Sequence, residues 1–242
     1  MISLVVTELK VLARSVTFLA ITIGFPVVFF LVMSEVFGGL GTGGLDMPRY
    51  MMVSMAAFAA ISVSIAAGTR VGQERLAGWN RQLRLTPLPA WGYVAAKVVV
   101  AMAMALPAIV LVFLAGLVIK GVELPAGQWF GLVAATWPGA LPYGVIGLAI
   151  GLAVKPDAAS GAGVAVYLPM AMLGGLWIPV EALPGFMVGL AKVLPSYWLA
   201  ENARIQLSGA PFQPLGVAVM AAWLVVVGAA VIALHRREAA RI

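Results

Sequence analysis

Apolar residues run along nearly the whole chain, and only one long polar stretch interrupts them. A helix needs about 20 apolar residues to cross a hydrocarbon core of about 30 Å. Six segments meet that length: approximately residues 15–37, 50–70, 92–119, 128–154, 161–178 and 214–235. The pattern therefore predicts an all-α integral membrane protein, with six transmembrane helices in one domain over residues 1–242. Within the fourth segment, Gly147 and Gly151 are four residues apart, a spacing that favours close helix packing.

The chain begins with an amphipathic pattern over residues 3–14. Val5, Leu9, Leu12 and Val16 fall on one helical stripe, and Ser3, Thr7, Lys10 and Arg14 fall on another. Such a helix suits the membrane interface, with its basic residues towards lipid phosphates. We predict an interfacial helix here, carrying Lys10 and Arg14; the alternative is a plain extension of the first span.

Composition supports a membrane location and gives an orientation. Hydrophobic residues make up 63% of the chain and charged residues 10%, so a water-exposed surface would lack polar cover. Eleven of the 15 Lys and Arg residues fall on the cytoplasmic side when the N terminus is placed there. Both termini are then cytoplasmic. This asymmetry accounts for the net charge of +6, so we expect no nucleic-acid partner.

Residues 179–213 join the fifth and sixth predicted spans in an unusual way. The segment is too apolar for a free loop, and its prolines break any continuous span. We predict short re-entrant helices in the outer leaflet, buried against the spans. The residues that mark this outer re-entrant segment are Pro179, Glu181, Pro184 and Pro195.

The long polar stretch lies between the second and third predicted spans, at residues 71–89. Leu76, Trp79 and Leu83 occupy one helical stripe, and charged residues surround them. An aromatic side chain ringed by charges is typical of an interface hot spot. The stretch therefore predicts a cytoplasmic contact with a partner protein; the alternative is a solvated interfacial loop.

The predicted spans lack the ionisable residues that a transporter would need to couple transport to proton movement by itself. Glu35, Arg49, Arg70 and Lys97 all lie at predicted span ends, and His235 is expected to be a solvated residue at the inner end of the last span. The chain has no GxxxxGK[ST] phosphate loop, no cysteine and no metal-ligand cluster. We expect no catalytic residue, no metal and no enzyme activity in this polypeptide, so any driving energy must come from a partner.

Taken together, these motifs resemble the membrane subunit of a type-2 ABC exporter, the class that includes bacterial drug-resistance efflux permeases. The first motif is Glu74-Arg75 with Gly78 and Leu85-Thr86-Pro87-Leu88. The second is Gly174-Gly175 with Ile178-Pro179, Leu183-Pro184, Leu194-Pro195 and Arg204. Trp79 departs from the family, which often has a small hydroxyl residue after the glycine.

The resemblance implies a complex with two separate ABC ATPase subunits, which would hold ATP and Mg; no cofactor is expected on this chain. A second copy or a related permease would complete the complex in the bacterial cell membrane. Residues 71–86 would form a coupling helix, whose contact residues are Glu74, Arg75, Leu76, Gly78, Trp79, Arg81, Leu83 and Arg84.

The resemblance also implies a pathway lined mainly by the second and fifth spans. The residues in question are Met51, Met55, Phe58, Ser62, Tyr167 and Met170, which would serve equally well in ordinary helix packing. The expected cargo is a drug, an antibiotic or another hydrophobic or amphipathic compound. Two alternatives stay open: a lipid or polysaccharide export permease, and a membrane sensor or scaffold that transports nothing.

Overall fold

The computed structural model of the protein describes residues 2–37, 41–42, 45–78 and 90–240, and these residues are almost entirely helical. The helices are α1 (Ile2–Arg14), α2 (Val16–Leu19), a π-helical turn (Ala20–Gly24), α3 (Phe25–Val36), α4 (Met47–Leu76), α5 (Ala90–Val118), α6 (Ala126–Gly139), α7 (Leu141–Ala153), α8 (Ala159–Leu173), α9 (Gly185–Val193), α10 (Pro195–Ser208) and α11 (Pro214–Ala240). Two 3-10 turns, Pro156–Ala158 and Val180–Ala182, precede α8 and α9. The strands β1 (Gly41–Thr42) and β2 (Leu45–Asp46) pair antiparallel, with Gly41 opposite Asp46. The all-α class is confirmed, with this short hairpin added.

Five helical stretches in the described residues are long and apolar enough to cross a membrane. They are Val16–Val36, Met47–Leu76, Gly92–Val118, Ala126–Ala153 and Pro214–Arg236. The predicted bounds of the fifth span, 161–178, are wrong, because α8 ends at Leu173. Gly175 then adopts the left-handed region, with φ +72°, which turns the chain away from the helix axis. The count of six spans stays a prediction.

The fourth predicted span, 128–154, is two helices rather than one. The helix α6 ends at Gly139, and α7 begins at Leu141. Pro138 and Pro142 flank the break, and each lacks the N–H that would continue the helical hydrogen-bond ladder. The break at Ala140 therefore follows from the proline spacing.

The chain start forms the predicted amphipathic helix, with one correction to its apolar stripe. Leu12 is buried in the core, while Lys10 and Arg14 are exposed. Val16 is exposed instead of following the stripe, because α1 ends at Arg14 and Ser15 caps a new helix. The Ser15 Oγ accepts a hydrogen bond from the Phe18 backbone N–H at 3.4 Å.

The long helix α4 is the centre of the bundle. Asp46 caps its start by accepting a hydrogen bond from the Arg49 backbone N–H at 2.9 Å. Helices α3, α5, α7, α8 and α10 surround it, and 94% of an apolar 18-residue stretch within it is buried. A membrane helix enclosed in this way must match its neighbours in shape along its whole length.

Glycines allow a close helix contact between α4 and α7. A Cβ at Gly68 would lie 2.5 Å from the Leu148 backbone nitrogen, and one at Gly147 would overlap the Ile65 backbone. A Cβ at Gly151 would be 3.1 Å from the Gly68 carbonyl oxygen. The Gly147 and Gly151 pair therefore lets two backbones approach each other, as the spacing predicts.

The segment 179–213 contains the short helices predicted for it, but only one of them is buried. Pro184 precedes α9 and Pro195 begins α10. Helix α10 packs against α4, α6 and α11. Among the described elements, helix α9 makes several contacts only with α8, α10 and the preceding 3-10 turn, and its Phe186 is 69% exposed. The expected burial against the spans is thus correct for α10 and wrong for α9. The depth of both helices in a bilayer stays a prediction.

Candidate functional site

The end of α4 carries the first residues predicted to contact a partner. The helix continues through Glu74, Arg75 and Leu76, and Gly78 follows in the left-handed region with φ +69°. Residues 71–76 are therefore the last turns of α4 rather than a separate element. The other predicted contact residues, Trp79, Arg81, Leu83 and Arg84, lie outside the described residues.

A buried lysine joins three helices at this end of α4. Lys97 of α5 is 3% exposed, and its Nζ lies 2.6 Å from the Glu8 Oε1 of α1. The same Nζ pairs with the Glu74 Oε1 of α4. The Tyr93 hydroxyl donates a hydrogen bond to the other Glu74 oxygen at 2.8 Å. We call Glu8, Glu74, Tyr93 and Lys97 the ion-pair cluster.

The ion-pair cluster sets two carboxylates around one ammonium. Burial raises the pKa of the Glu8 carboxyl above its ordinary value, and the neighbouring Lys97 offsets part of that rise. A buried charge is tolerated only when it is paired, so the two carboxylates depend on the same lysine. Sequence reasoning placed Lys97 at a span end and gave Glu8 no role.

Arg75 joins the end of α4 to a fourth helix. Its Nη1 donates to the carbonyl oxygens of Gly151, Leu152 and Val154, at 2.9, 3.2 and 3.1 Å. These are the last carbonyls of α7, which have no partner within their own helix and attract a cation. The charged ends of Glu74 and Arg75 are thus engaged within the chain, and their contact with a partner stays a prediction.

The surface available to a partner begins just beyond these two residues. Leu76 is 63% exposed, and none of the atoms that the structure describes lies within 4 Å of a Cβ built on Gly78. The end of α4 is therefore fixed by Glu74 and Arg75 and exposed at Leu76. This arrangement suits a segment that contacts another protein.

The six residues predicted to line a pathway are all buried within this single chain: Met51, Met55, Phe58, Ser62, Tyr167 and Met170. The Phe58 ring lies 5.8 Å from Tyr167, 5.6 Å from Trp177 and 5.8 Å from Phe25, measured between centroids. We call Phe25, Phe29, Phe58, Tyr167 and Trp177 the aromatic cluster. Their packing role is clear, and their role in a pathway stays a prediction.

A pocket of about 310 Å³ lies next to the aromatic cluster. It is formed by the first span, α4 and α8; its lining is largely apolar but includes Thr69, Arg70, Gln73 and Ser160, and we call it the polar pocket for these groups. Tyr167 belongs to both the pocket and the aromatic cluster. The aromatic rings and the polar groups of the pocket therefore lie on either side of one side chain.

Comparison with known proteins decides the family. The family model described as ABC-2 type transporter matches residues 1–207. The chain belongs to this family. It is also 30% identical over 201 residues to YvfS of Bacillus subtilis (strain 168), a protein named as a transport permease, and the match covers 82% of this chain and 81% of that protein. The chain is therefore the multi-pass membrane subunit of an ABC transporter, and membership of the family implies ATPase partner subunits.

The opposite end of α4 in this ABC-2 permease is held by a buried arginine. Arg204 of α10 is 6% exposed, and its Nη2 donates to the Ser54 Oγ at 2.8 Å and to the Gly175 carbonyl oxygen at 3.1 Å. Its guanidinium lies 4.0 Å from the Tyr50 ring centroid, and the Tyr50 hydroxyl donates to the same Gly175 carbonyl. The sequence motif contained Arg204 and Gly175 but gave no sign that they touch.

The remaining predicted residues of the permease have simpler surroundings. Pro179 precedes the 3-10 turn Val180–Ala182, in which Glu181 is exposed. His235, which was expected to be solvated, is partly buried, and its ring stacks on Tyr93 with centroids 6.0 Å apart. This contact adds α11 to the helices gathered around the ion-pair cluster.

Proposed function

We propose that this permease exports a drug, an antibiotic or another amphipathic compound, and that two ATPase subunits drive it by docking on residues 71–86. The observation that carries the proposal is the ion-pair cluster. The docking segment leaves a helix whose last turn is bonded to α1, α5 and α7. A force applied to the segment therefore acts on four helices at once.

The central position of α4 extends this argument across the bundle. The helix has 30 residues, so it is about 45 Å long at 1.5 Å per residue. It contacts α3, α5, α7, α8 and α10, and it carries Phe58 of the aromatic cluster. Because packed helices do not deform continuously, displacement of one end of α4 changes how its neighbours meet around that cluster.

The surfaces that meet at Tyr167 support an amphipathic cargo. The aromatic cluster offers ring faces, and the polar pocket beside it offers hydroxyl, amide and guanidinium groups. Ile21, Val28 and Val164 are exposed on the first span and α8, beside both surfaces. A second copy or a related permease on this face would enclose a pathway there.

The coupling proposal is tested by ATP turnover of the complex copurified with its ATPase and reconstituted in lipid. We expect Trp79→Glu and Gly78→Pro to abolish turnover stimulated by the cargo while the permease still inserts. Proline cannot adopt the positive φ of Gly78, and a charge at position 79 disrupts an apolar anchor. Unchanged turnover in both variants would remove the coupling assignment.

A matched pair of glycines separates coupling from backbone strain. Gly78 and Gly121 both have positive φ, +69° and +61°, and a Cβ on either would have none of the described atoms within 4 Å. Gly78→Ala and Gly121→Ala therefore introduce similar strain at opposite ends of the molecule. We expect only Gly78→Ala to lower stimulated turnover, severalfold. Equal losses in the two variants would point to general destabilisation.

The same assay separates the alternative functions. A sensor or scaffold would copurify with an ATPase but show no hydrolysis that depends on a cargo. An exporter of lipid or polysaccharide would respond to lipid-linked compounds and not to a panel of drugs. Transport that survives ATP depletion would contradict both the proposal and these alternatives.

A further inference from the structure

The polar pocket contains a cation, Arg70 of α4, and none of the described residues that line it is acidic. A cleft lined by charge of one sign concentrates ions of the opposite sign, so the guanidinium favours an anion in the pocket. The other polar groups on the lining are neutral hydroxyls and one amide: Ser15, Thr17, Thr22, Thr69, Gln73 and Ser160.

The Arg70 guanidinium has no counter-charge in contact with it. It forms no ion pair and no hydrogen bond with any residue that the structure describes. Glu74, one helical turn further along α4, has its two carboxylate oxygens on the Lys97 ammonium and the Tyr93 hydroxyl. Burial raises the pKa of Glu8, Lys97 offsets this rise most, and Arg70 offsets it least. The hydrogen-bonding capacity of Arg70 is therefore left for a ligand.

The pocket can be entered from outside the chain. Thr17, Gln73, Ser160 and Val164 on its lining are exposed, and Arg70 is half-buried. The volume of about 310 Å³ is at the lower end of the range for small-molecule sites. An incoming group therefore reaches the guanidinium without displacing a packed side chain.

The lining changes from polar to apolar along α4. Ile65 and Ile21 line the pocket on the side away from Gln73, and Tyr167 connects it to Phe58 of the aromatic cluster, with centroids 5.8 Å apart. Phe58 precedes Arg70 by twelve residues, which is about 18 Å along the helix. That separation is close to the length of a long alkyl chain. A cation at one end and ring faces at the other suit a compound with an acidic head and an apolar body.

We propose that the polar pocket is an anion site, which binds the acidic head of an amphiphile whose apolar part lies towards the aromatic cluster. The head is a carboxylate, a sulfonate or a phosphate. Arg70 supplies the charge, and the Gln73 amide and the Ser160 hydroxyl supply neutral donors. Such a compound has two sources, an exported cargo and an acidic lipid of the bilayer. As a cargo site, the inference rests on the proposed function; as a binding site, it does not.

Three photolabels with the same diazirine-bearing alkyl chain test the charge selectivity. Their heads are a sulfonate, a neutral methyl sulfone of similar shape, and a trimethylammonium. The purified permease without ATPase is labelled in nanodiscs of phosphatidylcholine, and the labelled peptides are identified by mass spectrometry. Label on the peripheral helix α11, where only 6% of an apolar stretch is buried, corrects for partitioning of each probe into lipid. We expect the sulfonate to label the pocket helices about tenfold more than the sulfone, and the trimethylammonium least.

Variants of two arginines on the same helix assign the preference to the pocket. Arg70→Gln should lower sulfonate labelling to the level of the sulfone, and Arg70→Lys should keep most of the preference because it keeps the charge. Arg49→Gln makes the same change at an exposed site 21 residues earlier on α4, about 31 Å away, and should keep the whole preference. The unfolding temperature of each variant shows that it is folded.

ATP turnover of the complex with its ATPase separates the two sources. If the acidic amphiphile is a cargo, the sulfonate should stimulate turnover of the unsubstituted complex and not of Arg70→Gln. Displacement of the label by phosphatidylglycerol, without stimulation by the sulfonate, would support the anion site, assign it to a bilayer lipid and overturn the cargo interpretation.

Equal labelling by the three heads overturns the anion site, and so does an unchanged preference in Arg70→Gln. If a panel of neutral or cationic drugs then still stimulates turnover, the proposed export function stands, so the two failures are distinguishable. Loss of the ATPase from the Arg70→Gln complex, together with equal labelling, would assign Arg70 to a subunit contact and overturn the proposal as well.

Discussion

The two ends of α4 are both held by a buried cation, but the partners of the two cations differ. At one end, the Lys97 ammonium pairs with the side chains of Glu8 and Glu74. At the other, the Arg204 guanidinium donates to a serine hydroxyl and to the backbone carbonyl of Gly175, and a carboxylate oxygen of Glu201 lies 3.3 Å away. One end is held through ionised side chains and the other through a backbone turn.

This difference indicates different mechanical properties. A lysine ammonium is a compact charge on a flexible stem. Lys97 and its two carboxylate partners, Glu8 and Glu74, belong to three separate helices. The Arg204 guanidinium donates to two acceptors through its Nη2, and its planar face stacks on Tyr50. We infer a joint that can rearrange next to the docking segment and a fixed attachment at the opposite end.

The largest expected effect comes from removing the cation of the joint. Lys97→Met leaves two partly buried carboxylates without their ammonium, so we expect a loss of about 3 kcal/mol in the free energy of unfolding, at the lower end of the range for buried pairs. Thermal unfolding in detergent measures it. Adding Glu8→Gln and Glu74→Gln should restore most of the loss, because no unpaired charge then remains.

The control is a lysine pair of similar chemistry on the surface. Lys120 pairs with Glu35, whose side chain is 81% exposed, so Lys120→Met should change the unfolding temperature little. If both lysine variants behave alike, burial of the ion-pair cluster does not set its strength and the comparison of the two ends fails.

A smaller loss is expected at the fixed attachment. Arg204→Lys keeps the charge but lacks the second guanidinium nitrogen, which donates to Glu201, and the planar face that stacks on Tyr50, so one charge-assisted hydrogen bond is lost, costing about 1.5–3 kcal/mol. Arg49→Lys, at an exposed site near the same end of α4, is the matched control. A stable Arg204→Lys protein would show that charge alone holds this end.

The smallest effect concerns pH, and here the substitution is expected to raise the stability of the protein instead of lowering it. Because the folded-state pKa of Glu8 is raised above 4.5, its stabilising contribution is fully present below that pH and is lost as pH rises through the folded-state pKa. Glu8→Gln cannot ionise. The free energy of unfolding of this variant should therefore rise relative to that of the unsubstituted protein between pH 4 and pH 7, by up to about 1 kcal/mol, and its unfolding temperature in detergent should rise with it.

Substitution of an exposed carboxylate is the control for this pH-dependent gain in stability, which should be specific to the ion-pair cluster. Glu181→Gln, on the 3-10 turn at the other end of the molecule, should give a profile parallel to that of the unsubstituted protein. Parallel profiles for Glu8→Gln as well would mean that the cluster carries no pH dependence of its own.

Much of the fold could be predicted because helix formation in lipid is a local requirement. Every backbone group must be bonded within its own segment, so an apolar stretch of sufficient length predicts a helix without knowledge of its neighbours. The helices at 47–76 and 90–118 and the breaks at Pro184 and Pro195 follow from this rule, whereas the break at Ala140 divides a stretch that was predicted as one span. The C-terminal end of the short α8 could not be predicted from this rule, because it depends on the conformation of Gly175.

The candidate site could be predicted only in part, because its contacts are distant in sequence. Glu74 and Arg75 were predicted to contact a partner protein, but the residues that they contact within this chain were not predicted. Lys97 is 89 residues from Glu8 and 23 from Glu74, and Arg204 is 150 from Ser54. Position on a helix shows neither which neighbour a side chain meets nor whether it is buried.

The sequence by itself determined that the chain is a helical membrane protein, where most of its helices lie and which family it belongs to. Only the tertiary structure showed that α4 is the enclosed centre and α11 a peripheral helix, with 94% and 6% of their apolar stretches buried. Both helices are apolar enough to cross a membrane. Lipid tails and a protein interior are similarly apolar, so composition does not show which of the two surrounds a helix. The shape of the helix surface decides which helix is enclosed, because glycines such as Gly68 and Gly147 let two backbones pack closely.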